Sequence, residues 1–94
     1  MPPIRDFAEF ESELASAIGQ MNKLAMEYRG GTFIESIQRQ LKFVYDWTRG
    51  GKRPSDENLK KLSFGVMADR AVNDIDPQLA GVLYRLANYL DQWK

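Results

Sequence analysis

The side chains here that could do chemistry are carboxylates, amines and guanidiniums, because the 94 residues include no His and no Cys. A chain without thiols has no cysteine nucleophile, disulfide or thiolate metal site. Without imidazole it lacks the usual general base near neutral pH and the commonest zinc ligand. Three carboxylates, Asp69, Asp74 and Asp76, cluster in sequence and would make a carboxylate pair or a hard-cation site. They lack the spaced oxygen ligands and terminal Glu of a calcium loop, and Asp76 is placed to cap a helix, so capping or facing a partner fits them better. The segment Arg49-Gly50-Gly51-Lys52-Arg53 is a basic, glycine-bearing loop that could cradle phosphate. It lacks the G-x-x-x-x-G-K-[ST] spacing, and a solvated loop is the simpler expectation. We therefore expect no enzyme, no cofactor and no metal site.

These side chains sit on or between elements of helical period. Three breaks divide the chain: Gly30-Gly31, Arg49 to Pro54, and Asn73 to Pro77. The first helix is expected over about 3–28. Its stripe is Phe7, Phe10, Leu14, Ala17, Ile18, Met21, Leu24, Ala25 and Tyr28, with Asp6, Glu9, Glu13, Gln20 and Glu27 opposite and Gly30 as C-terminal cap. The second is expected over about 32–48, with Ile34, Ile37, Leu41, Val44 and Thr48 inward. The third is expected as one helix over about 55–72, capped by Ser55, with acids in its first turn. It carries two nearly opposite stripes, Leu59, Leu62 and Val66 against Phe64, Met67, Ala68 and Ala71. The fourth, about 77–93, is capped by Asp76 with Pro77 at its first position. Leu79, Val82, Leu83, Leu86, Leu90 and Trp93 face inward, and Gly81, Arg85, Asn88 and Gln92 face away. Short connections imply antiparallel neighbours, so the expected fold is all-α, a compact antiparallel bundle of about four helices in a single domain spanning 1–94.

Some residues do not fit those inward stripes. Phe43 and Trp47 lie roughly 90–130° from the stripe of the second helix and four residues apart, so they neighbour each other. Tyr84 lies about 140° from the stripe of the fourth. Off-stripe aromatics mark a second packing contact or a partner surface. Gly65, inside the third helix, should cost about 1 kcal/mol relative to Ala. A close backbone approach explains it, most simply from a crossing helix of the same bundle.

The chain balances 13 Lys+Arg against 13 Asp+Glu, which argues against a dedicated nucleic-acid binder. No apolar run approaches the roughly 20 residues needed to span a bilayer, and the acidic turn after Met-Pro-Pro-Ile-Arg is unlike a signal peptide. Beneath the zero total, residues 1–31 carry a net −2, 32–54 a net +3, 55–73 balance, and 74–94 carry −1. Such polarity can steer a single protein partner.

The stretch Leu62-Ser63-Phe64-Gly65-Val66-Met67-Ala68-Asp69-Arg70-Ala71-Val72-Asn73-Asp74-Ile75-Asp76-Pro77-Gln78-Leu79 resembles a pattern found in small all-helical immunity proteins. That family protects bacteria from type VI secretion effectors whose toxin domains hydrolyse NAD(P)+. Its pattern reads Leu-Thr-Leu-Gly, two residues, Ala, then a basic residue, and later Asp-Pro-Glu-Leu. Here Leu62, Phe64, Gly65, Ala68, Arg70, Asp76, Pro77 and Leu79 fall in register. Upstream, Gln40-Leu41-Lys42-Phe43-Val44 is similar to a Gln-Leu-x-aromatic-aliphatic stretch, so the resemblance covers roughly residues 36–85. Two positions depart from it: Ala71 stands where an acid commonly follows, and Gln78 replaces the Glu.

The resemblance implies a cytoplasmic binding protein that covers the active site of a cognate effector toxin domain. An apolar centre would come from Phe43, Trp47, Phe64 and Met67. Asp69, Arg70, Asp74 and the basic loop would supply charged edges, with Tyr84 as a further anchor. No membrane or nucleic-acid partner is expected, and a homodimer of the free chain is left open. The alternative is a small helical adaptor or chaperone that self-associates or serves another protein. An enzyme is third.

Overall fold

The computed structural model describes residues 3–29 and 31–93. Helix α1 (Phe7–Glu27) begins later than the periodicity suggests. Asp6 is extended, and its carboxylate accepts a hydrogen bond from the Glu9 N–H at 2.9 Å, which fixes the helix start. The expected cap Gly30 lies outside the described residues. Helix α2 (Thr32–Trp47) closes at buried Thr48, whose hydroxyl donates to the Val44 carbonyl at 2.8 Å. A 3-10 turn, Arg49–Gly51, follows, with Gly50 at φ 74° and Gly51 at φ 83°, where side chains are strained.

The single helix expected over 55–72 is two. Helix α3 (Asp56–Lys60) starts at Ser55, whose hydroxyl accepts from the Asn58 N–H at 3.2 Å. The chain then leaves helical geometry, and α4 (Phe64–Ala71) starts afresh after Ser63. The break is held from outside. The buried Gln40 side chain on α2 accepts from the Ser63 N–H at 2.7 Å and donates toward the hydroxyls of Ser36 at 3.0 Å and Ser63 at 3.3 Å. Helix α5 (Pro77–Gln92) is capped by Asp76, which accepts from the Leu79 N–H at 3.1 Å, with Pro77 in the first turn.

The break inverts the expected faces. Phe64, Ala68 and Val72 point into the core, while Val66 is 62% exposed. With a continuous helix, Leu59 and Leu62 would have carried Val66 inward with them.

The four longer helices pack in a ring: α1 on α2, α2 on α4, α4 on α5 and α5 on α1. The pairing runs antiparallel. Asn22 meets Gln38 at 2.7 Å across α1 and α2, and Phe10 stacks on Tyr89 at 4.8 Å across α1 and α5. The core within the ring is apolar, with Phe10, Leu14, Met21, Ile37, Leu41, Phe64, Leu83 and Leu86 almost wholly buried. The radius of gyration, 12.3 Å, matches the about 12 Å expected of a compact chain this long.

Arg85 does not face away as expected. It reaches across to α1, donating to Glu9 at 3.2 Å and to Glu13, and its side chain is only 17% exposed. No helix among the described residues is long and apolar enough to cross a membrane.

Candidate partner-binding face

Helix α4 lies between α2 and α5 on the side of the ring away from α1. Its inner side is buried through Phe64 and Ala68. One flank turns to α2, where the Gln40 amide approaches the Met67 sulfur at 3.6 Å. The other turns to α5, where the Tyr84 hydroxyl donates to the Asp69 carboxylate at 2.9 Å. At 100° per residue, Val66 and Arg70 fall between these flanks and point outward, and both are exposed.

The residues singled out from sequence are spread over α2, α4, the α4–α5 turn and α5. Phe43 and Trp47 form one unit on α2, their rings stacked 5.7 Å apart and only 12° from parallel. Phe43 is 48% exposed, and Trp47 is half-buried against the core. Met67 is half-buried, Asp69, Arg70 and Tyr84 are exposed, and Asp74 is exposed in the turn joining α4 to α5. Phe64 is the exception. At 1% exposure it is a core residue and cannot anchor a partner, because the break before α4 rotates it inward.

Tyr84 has a shifted phenol. Loss of hydration, then the hydrogen bond to Asp69 and its charge, raise its pKa above the ordinary tyrosine value. The pair is thus a neutral hydroxyl donating to the Asp69 carboxylate.

The other chemistry considered from sequence is already engaged. Asp76 caps α5 and Asp69 holds Tyr84. Among the described residues no group of three or more His, Cys, Asp or Glu is placed to hold a metal. In the basic loop, Arg53 donates to the Trp93 carbonyl at 2.6 Å, the Pro54 carbonyl at 3.1 Å and Asp56 at 2.9 Å, while Arg49 lies over the Tyr45 ring at 5.8 Å. These guanidiniums hold the loop to its neighbours.

Sequence reasoning missed Val66 and the Gln40–Ser63 link. A signal for the break itself, though not for its partner on α2, was present. Lys60-Lys61 suits a helix C-terminus and Ser63 a helix start, which together mark a break.

An all-helical bundle with exposed aromatic and charged side chains over a buried apolar core matches the class of small helical immunity proteins. The chain belongs to the Tsi6 family, whose model matches residues 9–92. Tsi6 is a family of type VI secretion immunity proteins directed against NAD(P)+ glycohydrolase effectors, and not a family of enzymes. The match takes in α1, beyond the 36–85 stretch that carries the resemblance by eye. No curated protein and no solved structure matches the chain.

Proposed function

We propose that this chain neutralises the NAD(P)+ glycohydrolase domain of a cognate type VI effector in the cytoplasm, by laying the α4 face across the toxin's active-site entrance. It acts by binding and not by turnover, and needs no cofactor, nucleic acid or membrane. The observation that carries the proposal is the outer side of α4, where exposed Val66 and Arg70 lie between Met67 and the Asp69–Tyr84 pair; the Phe43–Trp47 stack of α2 would add an aromatic contact. An apolar centre edged by charges of both signs suits a specific protein interface. Ala71 and Gln78 stand where the resembled pattern carries acids, so the cognate toxin is expected to differ at the matching positions.

The test is co-expression. A candidate NAD(P)+ glycohydrolase effector domain, sought first in the neighbouring genes, is produced with and without the protein, and cellular NAD+ and growth are followed. Preserved NAD+ and growth support the proposal. Equal loss of NAD+ in both cultures overturns it.

A further inference from the structure

The break between α3 and α4 leaves backbone groups without helical partners. Ser63 does not cap α4 through its side chain, so the N–H groups of Phe64, Gly65 and Val66 lack a helical acceptor. The Ser63 N–H is taken by Gln40 of α2. One helix running from Asp56 to Ala71 would satisfy all four, because the carbonyls of Leu59, Lys60, Lys61 and Leu62 stand four residues back from them. The local sequence favours that helix, since good helix formers run on through Lys60, Lys61 and Leu62.

The segment that departs from it is lightly held. No residue of α3 is buried. Leu59 and Leu62 are half-buried over an open cavity of about 160 Å³, lined from the other side by Ala87, Leu90 and Asp91 of α5. Ahead of α3 the fixed points are buried Pro54 and the Arg53 guanidinium on the Trp93 carbonyl. Gly50 and Gly51, both at positive φ, join the segment to α2.

The ring leaves room for straightening. The Gly65–Ala87 and Asp69–Tyr84 contacts run α4 antiparallel to α5. Residues 56 to 63 would extend α4 backward by about 12 Å, along the last turns of α5 and toward Trp93, where Arg53 already lies. On one helix Leu59, Leu62 and Val66 fall within about 60° of one another, with Arg70 beside them and Phe64, Ala68 and Val72 opposite. Keeping Phe64, Ala68 and Val72 in the core therefore turns both leucines outward in line with Val66. The exposed side of α4 about doubles in length.

We infer that residues 52–63 form a two-state strap, either closed over the cavity or straightened into one helix with α4, and that the partner of the α4 face takes the straightened state. In that state Leu59, Leu62, Val66 and Arg70 make a single stripe. An apolar partner surface along it supplies the differential contact that shifts the two populations. The identity of the partner rests on the immunity reading, and the strap itself does not.

The experiment is relaxation-dispersion NMR on the free chain, which reads minor states of about 0.1–10% exchanging in microseconds to milliseconds. Residues 61–64 should exchange with one minor state whose Cα chemical shifts at Leu62 and Ser63 are helical. Arg53→Ala frees the strap from Trp93 and should raise that population severalfold. Ser63→Ala and Ser63→Gly lose the same hydroxyl contact to Gln40 but differ in helix propensity. The straightened state should be about fivefold more populated in the alanine variant. Affinity for the toxin domain found by co-expression, measured by calorimetry, should differ between the two variants by the same factor and in the same sense. No exchange at 61–64, a minor state that is not helical, or equal populations in the two Ser63 variants overturns the strap. A helical minor state with equal toxin affinity in both variants overturns its use in binding. A chain that shows the helical minor state yet protects against no glycohydrolase supports the strap and overturns the immunity reading.

Discussion

Phe43 and Phe64 show how residues of one type divide between surface and core. Phe43 is half-exposed and touches its own helix through the Trp47 stack. Phe43→Ala should therefore cost about 0.5–1.5 kcal/mol of stability while abolishing protection in the co-expression assay. Phe64→Ala empties a sealed site and should cost about 3–5 kcal/mol in urea denaturation, with protection lost only as far as the protein unfolds. Tyr84 offers a spectroscopic handle. Its raised pKa means that it should ionise later than an ordinary phenol, of pKa about 10, in an ultraviolet titration read as the difference from Tyr84→Phe. Asp69→Asn should move that titration down, because the charge that opposes phenolate formation is gone. The sign for stability follows: the native state favours neutral Tyr84, so its contribution is present below the unfolded pKa and lost as pH rises through the higher folded value. If Asp69→Asn leaves the titration unmoved, the pair does not persist in solution.

Among the elements, α4 is the one whose position matters most and whose start is least local. Its N-terminal boundary is held by Gln40, a buried carboxamide on another helix, so α2 and α4 are fixed in register by a hydrogen bond and not by packing alone. Its other flank depends on Gly65. A Cβ there would stand 3.1 Å from the Ala87 Cβ on α5, and a single carbon fixed to a helix backbone has no rotamer to yield. Gly65→Ala should thus destabilise the fold by about 1 kcal/mol although Ala favours helix by a similar amount. Adding Ala87→Gly should relieve the contact and recover part of the loss. Thermal unfolding of the single and double variants checks this, and a more stable single variant would show that the helices part freely.

At the scale of the whole molecule, the ring closes where α5 returns to α1. Phe7, Phe10, Tyr89 and Trp93 join the two ends through ring contacts between 4.8 and 6.1 Å. Arg85, reaching Glu9 and Glu13, ties the same pair of helices further along. Removing the guanidinium leaves two half-buried carboxylates facing each other. Arg85→Leu should cost about 2–3 kcal/mol, below the value for a fully buried pair because all three side chains keep some water. The loss, read from urea midpoints, should shrink in Glu9→Gln/Glu13→Gln, where the stranded charges are gone. An equal loss in that background would mean that Arg85 acts through packing alone.

Much of this architecture is written locally. The helical period, the caps at Ser55 and Asp76, the proline that opens α5, the stripe from Phe10 to Leu24 and the off-stripe position of Phe43 and Trp47 each depend on residues within a turn or two. A linear reading therefore finds them, along with the close approach at Gly65. The absence of His and Cys and the segment pattern Leu62 to Leu79 likewise need no coordinates. The tertiary structure alone decided three things: that Gln40 holds a helix break at Ser63, that Phe64 consequently faces the core while Val66 faces out, and that Arg85 turns inward to two glutamates. In each, the controlling partner lies from 23 to 76 residues away. Which face a short helix buries, and whether a charge finds its counter-ion, depend on what the ring of helices brings alongside, and no local periodicity carries that information.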